Sequence, residues 1–222
     1  STVKCCTQNG VRGGSATVHF PIWHKEIEDI LVLKNNKGSE DNRVRKLDYS
    51  IQLSKLFYER FINDEDITLF SPHEVPELYD TWGSDKFDEA YLKAENKRNI
   101  FKKKIKAQEL FMDMLKERAE TGRIYIMNID HANDHSSFKD RIYMSNLCQE
   151  ITLPTDPLQH IDGDGEIALC ILSAINVGKI NKREELQPLC DLAVRALDEI
   201  IDHQKYPIVA AEKSTKARRS LG

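Results

Sequence analysis

No apolar run in this 222-residue chain reaches membrane-spanning length, and no signal peptide opens it. A global basic excess is also missing. The net charge is −4 with 31% of residues charged, so the surface is solvated and mixed in sign, and nucleic-acid binding is not expected. The five cysteines, at 5, 6, 148, 170 and 190, are odd in number and follow no regular framework. They read as cytosolic thiols rather than as the staples of a secreted domain. There is no internal repeat and no low-complexity segment. The first residue is Ser1, not Met, and both ends read as cut from something longer. With 40% hydrophobic residues, the chain suffices for one large domain or part of a bigger one.

What is present is an alternation of strand and helix. Residues 15–20 read as a short strand closed by Pro21, followed by a helix over 25–33 with Ile27, Ile30 and Leu31 on one side. After a polar loop at 34–41 come an alternating strand at 49–53, a helix at 55–62 and a brief strand at 67–70. The charged stretch 85–106 reads as a surface helix. Helical spacing continues through Leu110, Phe111, Met114 and Leu115 until Gly122 stops it. A strand at 124–129 and a loop at 131–137 precede two cysteine-bearing strands, 145–151 and 167–175, separated by the turn Asp162-Gly-Asp-Gly165. In the last helix, Asn181 and Glu184 form a capping box, and a stripe at 186, 189, 190, 193, 194, 197, 200 and 201 packs on a sheet or another helix. Pro188 suggests that the continuous helix starts there, after a separate first turn. The order of elements implies an α/β fold with parallel strands.

The run Ser145-Asn-Leu-Cys-Gln-Glu-Ile151 carries the most chemistry. As a strand it would set Asn146, Cys148 and Glu150 on one face. The bland reading of Cys148 is a buried structural thiol. The flanking amide and acid favour a site, because an inward glutamate is costly unless paired or used. Dry surroundings would keep the thiol protonated, as a hydrogen-atom donor requires. Cys170 could reach the same pocket if the two strands are neighbours, and could form half of a redox disulfide. Cys190, on the helix stripe, reads as core. Cys5 and Cys6 are adjacent and not expected to pair with each other.

In Cys6-Thr-Gln-Asn-Gly-Val-Arg-Gly-Gly14 the glycines allow close backbone approach, and Arg12 could meet a phosphate or a base. The ending of a phosphate-binding P-loop is absent, and by spacing alone an ordinary flexible turn is the favoured reading. His131 and His135 have the spacing of metal ligands on a helix, but Asn133 and Asp134 suggest a loop and no third ligand is evident. Asp162–Gly165 resembles part of a calcium loop without the remaining ligand frame, so a plain turn is expected.

Taken together, Ser145–Ile151, Ile167-Ala-Leu-Cys-Ile-Leu-Ser-Ala-Ile-Asn176 and Gln8-Asn-Gly-Val-Arg-Gly-Gly14 resemble the catalytic large subunit of class I, aerobic ribonucleotide reductase. Leu33-Lys-Asn-Asn36, Asp66-Ile-Thr-Leu-Phe-Ser-Pro72, Thr121-Gly-Arg-Ile-Tyr125 and Leu192-Ala-Val-Arg-Ala-Leu197 add to the match, in the same order. The resemblance covers essentially the whole chain. It implies that residues 1–222 form a partial catalytic domain, the middle of a ten-stranded α/β barrel that is incomplete in this chain.

The resemblance also assigns roles. Cys148 matches the transient thiyl radical that takes the substrate's 3′ hydrogen. Glu150 matches the base for the 3′-hydroxyl proton, and Asn146 the amide that binds the ribose. Cys170 matches one of the two cysteines that end as a disulfide. Leu147 and Leu172 match substrate contacts. Cys6, Gln8, Arg12 and Gly13 match the loop that relays a bound effector's identity to the substrate base.

No cofactor is expected on the chain itself. The radical would come from a metal-containing small subunit, reducing equivalents from thioredoxin or glutaredoxin, and regulation from deoxynucleotide or ATP effectors. Nucleoside diphosphates would be the substrates, with no nucleic acid or membrane partner and a cytoplasmic location. The family's N-terminal activity domain, second redox cysteine, radical-passing tyrosines and C-terminal cysteines have no match here, so the chain is expected to be silent by itself. Two other readings stand beside this one. One is a non-catalytic piece that completes or binds a split barrel. The other is a thiol oxidoreductase working through Cys170.

Overall fold

The computed structural model describes residues 2–7, 9–160 and 163–222, and the side chains of all of these except Asn42. The chain divides into two compact units, Ser1–Thr152 and Leu153–Gly222.

The first unit runs α1 (Thr2–Cys5), β1 (Thr17–Pro21), α2 (Ile27–Leu31), β2 (Asp48–Leu53), α3 (Lys55–Ile62), β3 (Asp66–Phe70), α4 (Glu77–Thr81), α5 (Phe87–Asn96), β4 (Lys102–Lys106), α6 (Ala107–Thr121), β5 (Ile124–Asn128) and α7 (Ile129–Asp134). Strands β1, β2 and β5 form a parallel sheet in that order, with Thr17 opposite Asp48 and Ser50 opposite Tyr125. Strands β3 and β4 pair antiparallel, Ile67 opposite Ile105. Parallel neighbours need crossovers, and here α2 supplies one and the stretch from α3 to α6 the other.

In-register residues of a sheet share a face. One face of the parallel sheet therefore carries Val18, Phe20, Tyr49, Ile51, Leu53, Ile124 and Ile126. These join a core in which Trp23, Phe57, Tyr91, Leu110 and Met114 are fully buried. The other face carries Thr17, His19, Ser50, Gln52, Tyr125 and Met127. It is polar, and yet Ser50 and Gln52 are buried. Something must cover it and meet their hydrogen-bonding needs.

Several elements follow the sequence closely. Helix α3 begins where Ser54 accepts a hydrogen bond from the Phe57 amide. Helix α6 ends at Gly122, whose left-handed backbone (φ 65°) and N–H to the Arg118 carbonyl close the last turn. Other expectations are corrected. The stretch 85–106 is not one helix. Its last five residues are β4, whose lysine side chains tolerate a solvent edge while Ile105 packs against the core. Residues 129–134 form α7 rather than a loop. Asn133 accounts for this by donating to the carbonyls of Ile129 and Ile142 and accepting from the Ile142 amide at 2.8 Å.

The second unit contains α8 (Leu186–His203) and α9 (Val209–Arg218), which pack on each other with Leu197, Ile201, Ala210 and Ala211 buried. Pro188 lies in the first turn of α8, where a missing N–H leaves no bond unmade. The expected capping box is not formed. The Asn181 amide instead donates to Glu185, and a separate 3₁₀ turn at Arg183–Glu185 precedes the helix. The apolar stripe is only half used: Leu189, Val194 and Ile200 are exposed, and Cys190 is half-buried rather than core. Residues 167–175 form no strand. Within them Ile171 makes an isolated bridge with Leu221, and just before them Glu166 makes one with Asp156. The architecture is α/β, but the described residues form no closed barrel.

Candidate functional site

The segment expected to be a strand is a tight loop. Gln149 adopts a left-handed backbone (φ 69°), which no strand accommodates. Its N–H donates to the Asn146 carbonyl at 3.3 Å, and the Asn146 N–H to the Ile151 carbonyl at 3.2 Å. Two polar side chains finish the closure. Asn146 Oδ1 accepts from the Ile151 N–H at 3.0 Å, and Ser145 Oγ donates to the Ile151 carbonyl at 2.6 Å. Short polar side chains compete with ladder bonds in this way, and here they turn the chain back on itself.

This loop and the residues leading into it cover the polar face of the parallel sheet. From β1, Thr17 Oγ1 donates to the Leu147 carbonyl at 2.7 Å. From β2, the buried Gln52 amide donates to the Tyr143 carbonyl at 2.6 Å and accepts from the Trp82 indole at 2.7 Å. Ser50 donates to Gln149 Oε1 at 3.4 Å, and Gln149 Nε2 donates to the Ile126 carbonyl of β5 at 3.0 Å. Each strand of the sheet thus holds the segment 143–149 at one point or more.

His19 lies beneath it as well. Both of its ring nitrogens are shielded from solvent and make no well-directed hydrogen bond. Burial holds the imidazole below its ordinary pKa, although the nearby backbone of Ser145 and Asn146 favours its charged form.

Because the Gln149 side chain turns into the sheet, its neighbours are displayed outward, and Cys148 and Glu150 are both exposed. Alternation about Gln149 therefore survives in a loop, but the expected dry, inward setting does not. Asn146 is half-buried and commits its oxygen to the loop closure, while its Nδ2 donors have no partner among the described residues. Leu147 is half-buried, its carbonyl held by Thr17.

The glycine-rich stretch is largely exposed. Cys6, Arg12 and Gly13 lie at the surface, and Gln8 falls outside the described residues. The close approach that glycine permits here is internal, since a side chain at Gly14 would collide with the carbonyl oxygens of Val3 and Cys6. In the second unit Cys170 is half-buried beside Gly222, and Leu172 is exposed. His131 and His135 place their rings 6.0 Å apart. No cluster of three or more metal-ligating side chains occurs among the described residues, and Asp162 lies outside them. No described helix is long and apolar enough to cross a membrane.

Sequence reasoning singled out the segment, as a strand, but missed what holds it: Thr17, His19, Ser50, Gln52 and Gln149. The available signal was the polar residues at alternate positions of two strands, Thr17 and His19 in one and Ser50 and Gln52 in the next.

Comparison with known proteins identifies the family of the chain. The family model described as the ribonucleotide reductase barrel domain matches residues 1–222, and the chain belongs to that family. It is similar to the ribonucleoside-diphosphate reductase subunit alpha of Haemophilus influenzae (57% identical) and to the ribonucleoside-diphosphate reductase 1 subunit alpha of Escherichia coli (54%). It is also 47% identical to the subunit alpha of enterobacteria phage T4. Each match covers 100% of this chain, and the chain spans 30% of the length of these relatives.

Proposed function

We propose that the chain is the active-site segment of a ribonucleoside-diphosphate reductase large subunit, contributing the middle of a ten-stranded α/β barrel. Residues 1–222 would all belong to that one catalytic domain. The observation that carries this reading is the tethered loop, which leaves Cys148 and Glu150 exposed on either side of Gln149 in a chain 54% identical to a subunit of that name.

In this reading a radical passed from a metal-containing small subunit resides transiently on Cys148. Its sulfur takes the hydrogen from C3′ of a nucleoside diphosphate, forming S–H and leaving a carbon radical. Glu150 accepts the 3′-hydroxyl proton, as a carboxylate within reach of a hydroxyl can. The uncommitted Nδ2 of Asn146 donates to the ribose. The 2′-hydroxyl takes a proton from one of two redox thiols and leaves as water, the hydrogen of the other thiol replaces it on C2′, and Glu150 returns its proton to the 3′ oxygen. Two electrons come from the Cys170 thiol and a second thiol elsewhere in the subunit, which end as a disulfide. The hydrogen then returns from Cys148 to C3′. Thioredoxin or glutaredoxin would reduce the disulfide.

The exposed sulfur calls for a cover that excludes water, and the remaining segments of the subunit would provide it. Leu147 and Leu172 would touch substrate. Cys6, Gln8, Arg12 and Gly13 would form the loop that responds to deoxynucleotide or ATP effectors. The enzyme would work in the cytoplasm, and this segment alone would be silent.

Complementation tests the proposal. The chain is mixed with the remaining segments of the subunit and the small subunit, and reduction of nucleoside diphosphates is measured. The unmodified chain should restore turnover and the Cys148→Ser chain should not. Full turnover by the serine chain would leave the segment a merely structural complement.

A further inference from the structure

The backbone on either side of Cys148 is tied to the sheet by different strands. Before it, the Leu147 carbonyl accepts from Thr17 of β1 at 2.7 Å. After it, the Gln149 side chain bridges β2 and β5, accepting from Ser50 and donating to the Ile126 carbonyl. Gln149 also occupies a left-handed backbone (φ 69°) that disfavours any residue with a Cβ. Glycine would sit there without strain but could make neither bond. The side chain is therefore what holds this turn in place. Cys148 itself makes no hydrogen bond among the described residues, so its position follows from its two neighbours.

We propose that Thr17 and Gln149 are positioning residues that clamp the Cys148 backbone from both sides, so that the sheet rather than the loop sets the distance from sulfur to a bound ribonucleotide. The inference rests on the reading of Cys148 as the hydrogen-abstracting residue. Hydrogen transfer depends steeply on distance, and a displacement of about 1 Å can cost on the order of 100-fold in rate.

The test uses the complete large subunit with its radical-generating partner. Thr17→Val and Gln149→Met keep shape and remove the bonds, while Thr17→Ser keeps the hydroxyl. Valine and methionine should each lower kcat roughly 10- to 100-fold with KM changed less than about twofold. The deuterium isotope effect on kcat for substrate labelled at C3′ should rise, because transfer becomes slower relative to the other steps. Thr17→Ser should stay within a few-fold of the parent. Gln149→Gly, which relieves the strain without restoring the bonds, should be as slow as Gln149→Met.

A smaller active fraction would lower kcat and leave the isotope effect unchanged, and that result would overturn the proposal. So would wild-type kcat in both Thr17→Val and Gln149→Met while Cys148→Ser is dead. Turnover in Cys148→Ser would instead overturn the functional reading on which the clamp depends.

Discussion

At the residue scale, His19 shows how closely the loop is seated. A buried imidazole with no well-directed partner is held neutral, its pKa lowered mainly by burial. In the unfolded chain it takes up a proton near pH 6.5. Stability from this group is therefore full above that value and falls as pH drops from there through the lower folded pKa. His24 is lowered for the same reason and contributes in the same direction. Denaturant unfolding at pH 8 and pH 5.5 should show a loss of stability in the parent chain and a smaller loss in His19→Phe. An unchanged pH dependence in the phenylalanine variant would remove His19 from the account. Gln52 makes a second residue-scale case. Its amide oxygen is buried and accepts from Trp82, so Trp82→Phe strands it and should cost about 1–3 kcal/mol, read from denaturant midpoints.

At the element scale, α3, α5 and β3 are joined by a buried polar network. Arg60 meets both oxygens of Glu95 at 2.7 and 2.6 Å, Thr68 donates to the same carboxylate, and the guanidinium lies 5.0 Å from the Tyr91 ring centre. Burial alone would raise the Glu95 pKa. The hydrogen bonds from Arg60 and Thr68 outweigh it and hold the carboxyl below its ordinary value. Its stabilising contribution is thus present above the free glutamate pKa, near ~4.3, and is lost as pH falls through the folded value. Removing one partner strands the other charge, so Glu95→Ala should cost about 3–5 kcal/mol at neutral pH in denaturant unfolding. A cost below roughly 1 kcal/mol would mean the pair is effectively solvated.

What the sequence made legible also divides by element. Helices α3 and α6 and strands β1, β2, β3 and β5 are read from local signals, among them the terminal glycine of α6 and the alternation of β2. Strand β4 escaped because Lys102–Lys106 has almost no apolar pattern, and only its pairing with β3 makes it a strand. The loop at 145–151 escaped for the opposite reason. Its alternation is real, but Ser145 and Asn146 close it through bonds that periodicity does not register. Asn146, Cys148 and Glu150 stand out in the sequence as candidate site residues; their tethers on β1, β2 and β5 do not, because they depend on the strand order.

At the scale of the whole molecule, the polar sheet face explains why an alternating strand such as β2 can be buried on both sides. One side meets the apolar core, and the other is satisfied by the segment 143–149. The same arrangement aims Cys148 and Glu150 away from the sheet, toward whatever binds there. Under the proposed function, a nucleotide binds there. In the complete large subunit, the rate at which iodoacetamide modifies Cys148 is compared, by mass spectrometry, without nucleotide and with saturating nucleoside diphosphate. Nucleotide should protect Cys148 and leave Cys190 reacting at its former rate. Equal labelling of Cys148 with and without nucleotide would contradict it.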